Sequence, residues 1–348
     1  MYPKKNKNKY FFSLLILVFI CFFCACQSSQ NSESISQKNQ SNIIENIFQP
    51  TKNTPPTLWN YPQKDSVGYV FYLKKRYNAK NIAPIKAKEL EKWSKELEKK
   101  YNISFKTHTY QKYFNIAYRC TDAQRNHLEY VSKVFFKDTY QKYFKYEPKN
   151  PFQIVYFANK DEFVKYTKSS AYGFYQPSTK TLFTYTGSGE GTLWHELMHA
   201  FVDTNIEHNI QQWFSEGLAS FYEMGGISND IFLEGYTNWR QPLLIKMLGK
   251  KNNLPLDIFL EEEEMSEDDA YAKARFLFCY LWINNKMISF VNAYLYELSA
   301  QYKGKELTKK TIDKIEKLLG KNLKTIEKEY NELAKKFIPY QKLQQIKN

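Results

Sequence analysis

The stretch GTLWHELMHAFVDTN, residues 191–205, constrains the fold more than any other part of the chain. Leu193, Trp194, Leu197, Met198, Phe201 and Val202 recur at helical spacing, which predicts an α-helix directly after the Gly-rich turn GSGEG. On that helix His195 and His199 stand at i and i+4, on one face and one turn apart, so both imidazoles can reach one ion. Glu196 falls about 100° round the axis from His195, beside the metal face, where a carboxylate can contact metal-bound water without displacing it. A catalytic Zn²⁺ takes three protein ligands and keeps a fourth position open; it lowers the pKa of its water so that a neighbouring carboxylate can remove the proton. The helix offers two ligands, and a second element must bring the third.

That element is expected downstream, in QQWFSEGLASFYE, a second helical pattern holding Glu216 with sixteen residues between it and His199. The gap fits a helix end, a reversing loop such as NIEHN, and a second helix packed antiparallel to the first. Glu216 is therefore the expected third ligand. Ser220 and Glu223 follow it at i+4 and i+7, on its face, where they can orient it. Asp203, four residues after His199, is either an acceptor for an imidazole or a surface acid at the helix end. His108, His127 and His208 lack ligand spacing and read as surface or strand histidines, although His208 is close enough to the motif to line a cleft.

HELMH followed by WFSEGLA resembles the gluzincin clan of metallopeptidases, whose second motif has Asn where this chain has Ser215, a non-ligand position. AYGFYQPSTKTLFTYTGSGEGTLWHELMHAF, WFSEGLASFYE and AYAKARFLFCYLW are similar to bacterial proteins with a peptidase MA-like domain, over residues 100–335. The resemblance implies an α+β, zincin-like fold with a sheet-bearing N-terminal lobe, two zinc-ligand helices and a helical C-terminal lobe. It implies peptide-bond hydrolysis, with His195, His199 and Glu216 on Zn²⁺ and Glu196 as general base and then general acid. Gluzincins also use a Tyr or His of the helical lobe as oxyanion donor, and Tyr271 in DDAYAKARF is the matching position, with Arg275 one turn on. The strand near the zinc helix of such enzymes offers an edge to an extended peptide; TLFTYTG is either that edge or an internal strand. The alternative function is a non-catalytic, zinc-containing surface lipoprotein, in which Glu196 would have no purpose.

Residues 1–25 pair a lysine-rich start, MYPKKNKNKY, with the apolar run FFSLLILVFICFF, the pattern of a secretory signal. FCACQSS then resembles the lipobox of bacterial lipoproteins, which implies cleavage before Cys26 and lipid on it; the competing reading is an uncleaved anchor helix. Either places the bulk of the chain outside the cytoplasmic membrane, as a membrane-anchored protein. Lys plus Arg outnumber Asp plus Glu by 50 to 36, but four of the lysines belong to the signal and many others alternate with glutamates. Such alternation makes solvated helix faces, so no nucleic-acid partner is expected, and the resemblance implies a peptide or protein substrate. The acidic run EEEEMSEDD, residues 261–269, reads as a solvated loop or a cation-binding one. Of the cysteines outside the signal and Cys26, Cys120 and Cys279 remain, and spacing leaves open whether they pair.

Residues 26–62 are rich in Ser, Gln, Asn and Pro and form a flexible tether, followed by a sheet-bearing lobe with the zinc helices over 63–225 and a helical lobe over 226–348. IAPIKAKELEKWSKELEKKY is an amphipathic helix; NISFKTHTY, KYFNIAY and FQIVYFA are strands; AYGFYQPSTKTLFTYTG is a strand pair turning at Pro177 to Lys180. Thr121 and Asp122 can cap the helix DAQRNHLEYVSKVFFKDTYQKYF, and KDEFVKYT is a short helix. Past Gly187 the pattern is helical to Phe337. The hexapeptide TYQKYF occurs twice, in a strand context and in a helical one, and is a chance recurrence.

Overall fold

A computed structural model describes residues 87–249, 253–261 and 267–336. The signal, Cys26, the tether, the start of the sheet-bearing lobe and the middle of the acidic run lie outside the described residues. The first lobe opens with α1 (Ala87–Tyr101), β1 (Lys106–Tyr110) and β2 (Phe114–Tyr118). It continues through α2 (Asp122–Phe135), β3 (Phe152–Phe157), α3 (Lys160–Thr167), β4 (Gly173–Gln176) and β5 (Thr181–Tyr185). The helix α2 begins at the expected cap: the Thr121 side chain accepts from the Gln124 backbone N–H while Gln124 reaches back to Thr121, a capping box. It then runs on through a π-helical turn, Phe136–Tyr140, which no hydrophobic period reveals.

The five strands form one mixed sheet in the order β1-β2-β3-β5-β4. The inner pairs β2/β3 and β3/β5 are parallel, and β1/β2 and β4/β5 are antiparallel. FQIVYF reads as a nearly continuous apolar run because β3 is central and covered on both faces. On one face Val155, Phe157, Phe183 and Tyr185 pack with Leu97 of α1 and Phe163 of α3. On the other Phe152 meets Phe201, with ring centroids 4.9 Å apart, and Phe136 of the π turn. Phe201 belongs to α4 (Glu190–Asn205), so the helix carrying the histidine pair lies directly on the sheet.

The edge beside α4 is β4; the strand TLFTYTG, which is β5, is internal, hydrogen-bonded to β3 on one side and β4 on the other. Its position is decided by the turn at Pro177–Lys180, which folds β4 to the outside.

After α4 come α5 (Gln212–Phe221) and a hairpin, β6 (Gly226–Ser228) with β7 (Ile231–Leu233). This hairpin corrects the purely helical expectation past Gly187. Its strands are too short to show a period of two, but Asn229 and Asp230, both at positive φ, make the two-residue turn that a hairpin needs. The remaining elements are helices: α6 (Arg240–Leu248), α7 (Leu256–Glu261), α8 (Glu267–Ile283), α9 (Met287–Ala293), α10 (Gly304–Leu319) and α11 (Leu323–Lys336). Cys120 and Cys279 are buried and free, each thiol pushed up by burial, Cys120 to about 11.

Helices α5 and α8 approach closely at Gly217. A Cβ there would stand 2.7 Å from the Cβ of Ala274 and from the Phe278 ring. This contact draws the first half of α8 over the part of α5 that holds Glu216. Gly217→Val should therefore overpack the seam and lower stability by about 1–3 kcal/mol, read as an earlier urea midpoint; an unchanged midpoint would mean the helices separate freely there.

Candidate metal centre

The backbone of α4 and α5 runs antiparallel, with the loop 206–211 between them. Gly191 in the first turn of α4 lies against the Glu223 carbonyl just past the end of α5, closer than any side chain would permit. Four residues on, His195 points at α5, and His199 does so one turn later. His195 Nε2 and His199 Nε2 are 3.0 Å apart, and Glu216 Oε2 lies 3.3 Å from the first and 3.5 Å from the second. These three ligand atoms form the group of described residues able to hold a metal ion. A tetrahedral centre with bonds of ~2.0–2.1 Å has ligand-to-ligand edges of roughly 3.4 Å, close to this triangle.

The chemistry of the donors also fits a cation. Glu216 Oε2 is buried with no hydrogen-bond partner, although both imidazoles face it. Burial works to raise the Glu216 carboxyl, but His199 and then His195 hold it well below the usual carboxylate range. Burial would likewise push His195 down; Glu216, Glu223 and the charge of Glu196 outweigh it and hold the imidazole up at about 10. Among the described residues no Lys or Arg contacts Glu216 or Glu196, so the pocket has buried negative charge facing two imidazoles and favours positive charge between them.

The sequence-expected residues take separate places around this group. Glu196 is buried beside the triad, where its Oε2 accepts from the Tyr175 backbone N–H of β4 at 2.8 Å. The Tyr271 ring, on α8, stacks on His195 with centroids 5.9 Å apart. Burial and the charge of Glu216 push its phenol up, which keeps it a donor.

The neighbouring polar side chains find other partners. Asp203 takes no imidazole; it accepts from the Tyr175 hydroxyl at 2.7 Å. Ser215 stands in that role instead, its hydroxyl 3.1 Å from His199 Nδ1. Glu223 does not orient Glu216. Its Oε1 lies 3.2 Å from His195 Nδ1, an ion-pair contact outside hydrogen-bond alignment. Burial works to raise the Glu223 carboxyl, and Arg240 with His195 brings it down to about 2. Ser220 turns its carbonyl to Arg275, so both are structural. His208 bonds Ser299, His127 bonds Glu190 and His108 meets Glu129 and Arg125, all away from the triad.

Two contributors escaped the motif reading. Ser215 sits where the resemblance allowed any non-ligand residue, and Arg240 lies in NWRQP, a stretch with no motif at all. Compared with protein-family models and with curated proteins, the chain gives no match.

Proposed function

We propose that this chain is a zinc-dependent metallopeptidase of gluzincin type, with the zincin layout of a sheet-bearing lobe, two metal helices and a helical lobe. The observation that carries this reading is the convergence of His195 Nε2, His199 Nε2 and Glu216 Oε2 while Glu196, next in sequence to His195, is held out of the triangle. A purely structural centre would gain from a fourth protein ligand and would have no use for such a carboxylate.

Zinc in this triad would supply a Lewis acid that activates water and polarises a carbonyl. The protein's part is positional. An extended peptide can add its backbone to the β4 edge, the strand beside α4. The edge N–H of Tyr175 already holds Glu196, so the base and the substrate-binding edge are registered against each other. Glu196 takes a proton from the attacking water and returns it to the leaving amine. Tyr271, protonated and beside His195, donates to the oxygen that gains negative charge. The protein would work outside the cytoplasmic membrane, anchored through lipid on Cys26.

Glu196→Gln keeps shape and hydrogen-bond reach but removes the base. Zinc content should stay at one per chain while cleavage of a diverse peptide library falls by ~10² or more; a fully active variant would remove Glu196 from the reaction, and a zinc-loaded parent that cleaves nothing would sink the peptidase reading. Lipid attachment is tested separately. Labelling by a fatty-acid analogue should disappear in Cys26→Ser, and labelling that persists would place the anchor elsewhere.

A further inference from the structure

Behind His195, on the side away from Glu216, four elements meet around one guanidinium. Glu223 follows α5, Asn238 and Arg240 begin α6, and Tyr271 lies on α8. Arg240 Nε donates to Glu223 Oε2 at 2.7 Å and Nη2 to Oε1 at 2.6 Å, a two-pronged pair. Asn238 Nδ2 adds a third donor to Oε2 at 3.1 Å, and its own Oδ1 accepts the Arg240 backbone N–H. The same guanidinium lies 4.4 Å from the centroid of the Tyr271 ring, the ring that stacks on His195. Its side chain is only 15% exposed and that of Glu223 7%, so the ion pair is largely shielded from bulk water.

We propose that Arg240 is a positioning residue for the metal centre: its fork fixes Glu223 behind His195, and its face fixes the Tyr271 ring against the same imidazole. The inference rests on the metal reading of the triad. A carboxylate has about four acceptor sites, and three donors from Arg240 and Asn238 leave Glu223 a single direction of approach, toward His195 Nδ1. A proton on Nδ1 facing that carboxylate leaves Nε2 as a bare lone pair aimed at the ion. Ring and carboxylate thus clamp the imidazole from its face and from its rear. Tyr271 acquires a second role, because its ring supports the guanidinium independently of its hydroxyl. Lysine cannot replace Arg240: an ammonium keeps the charge but has neither the fork nor the flat face.

The test uses the full-length protein, with Zn²⁺ affinity from competition against a chromogenic chelator and the visible spectrum of the Co²⁺-loaded form. Arg240→Lys should weaken Zn²⁺ binding about 10–100-fold and shift the Co²⁺ bands while thermal unfolding stays cooperative. In a Glu223→Gln background the same substitution should cost much less, since the carboxylate it holds is gone. Tyr271→Phe, which keeps the ring, should lose less affinity and shift the Co²⁺ bands less than Tyr271→Ala, and Tyr271→Ala should reproduce the Arg240→Lys shift. Parental affinity and spectrum in a folded Arg240→Lys protein, or losses that simply add with Glu223→Gln, would overturn the proposal and leave the metal reading intact. A parent that binds no metal would overturn both.

Discussion

Helices α4 and α5 come together where Gly191 leaves room for the Glu223 backbone, and the candidate centre depends on that approach. With α5 held so close, the two histidines of α4 face Glu216 at 3.3 and 3.5 Å, and the end of α5 delivers Glu223 to the rear of His195. The sheet determines the other side. Phe201 packs α4 onto β3, and the neighbouring edge strand β4 then lies within hydrogen-bond reach of Glu196. The seam at Gly217 sets the third wall by drawing Tyr271 over the imidazole. Each ligand therefore comes from a rigid element whose place is fixed by packing remote from the ion.

Electrostatics explains why this packing has to be so tight. Glu196, Glu223 and His195 are buried, and unpaired charge in a low-dielectric interior is costly. Glu223 is offset by Arg240, whereas Glu216 and Glu196 face imidazoles and a backbone N–H. The group of three ligand atoms is thus a place where the fold concentrates negative charge and lacks a fixed cation of its own. A divalent ion would satisfy the orphaned Glu216 oxygen and relieve the need for a protonated His195 in one step.

Much of this was legible in the sequence. The i, i+4 histidines, the adjacent Glu196 and the spacing to Glu216 are local patterns on strongly apolar helices; helical geometry puts the two imidazoles on one face, and the packing of α5 brings Glu216 to them. The α+β class and the capping box at Thr121 were legible for the same reason. What escaped was set by long-range contact. Which strand forms the edge depends on how the Pro177 turn folds β4 outward. Asp203 stood at the right spacing for His199, yet the edge-strand Tyr175 captured it and left the imidazole to Ser215. Arg240 reaches Glu223 across the β6–β7 hairpin, whose strands are too short to register as a period.

The central claim is that one ion is held by two imidazoles and the Glu216 carboxylate, with a position left open. Zinc K-edge X-ray absorption of the full-length protein tests it most directly. The account predicts a four-coordinate sphere with two histidine nitrogens and two oxygens, of which one disappears or is replaced by solvent with a changed bond length in Glu216→Ala. A sphere closed by four protein ligands, or one that Glu216→Ala leaves untouched, would contradict it.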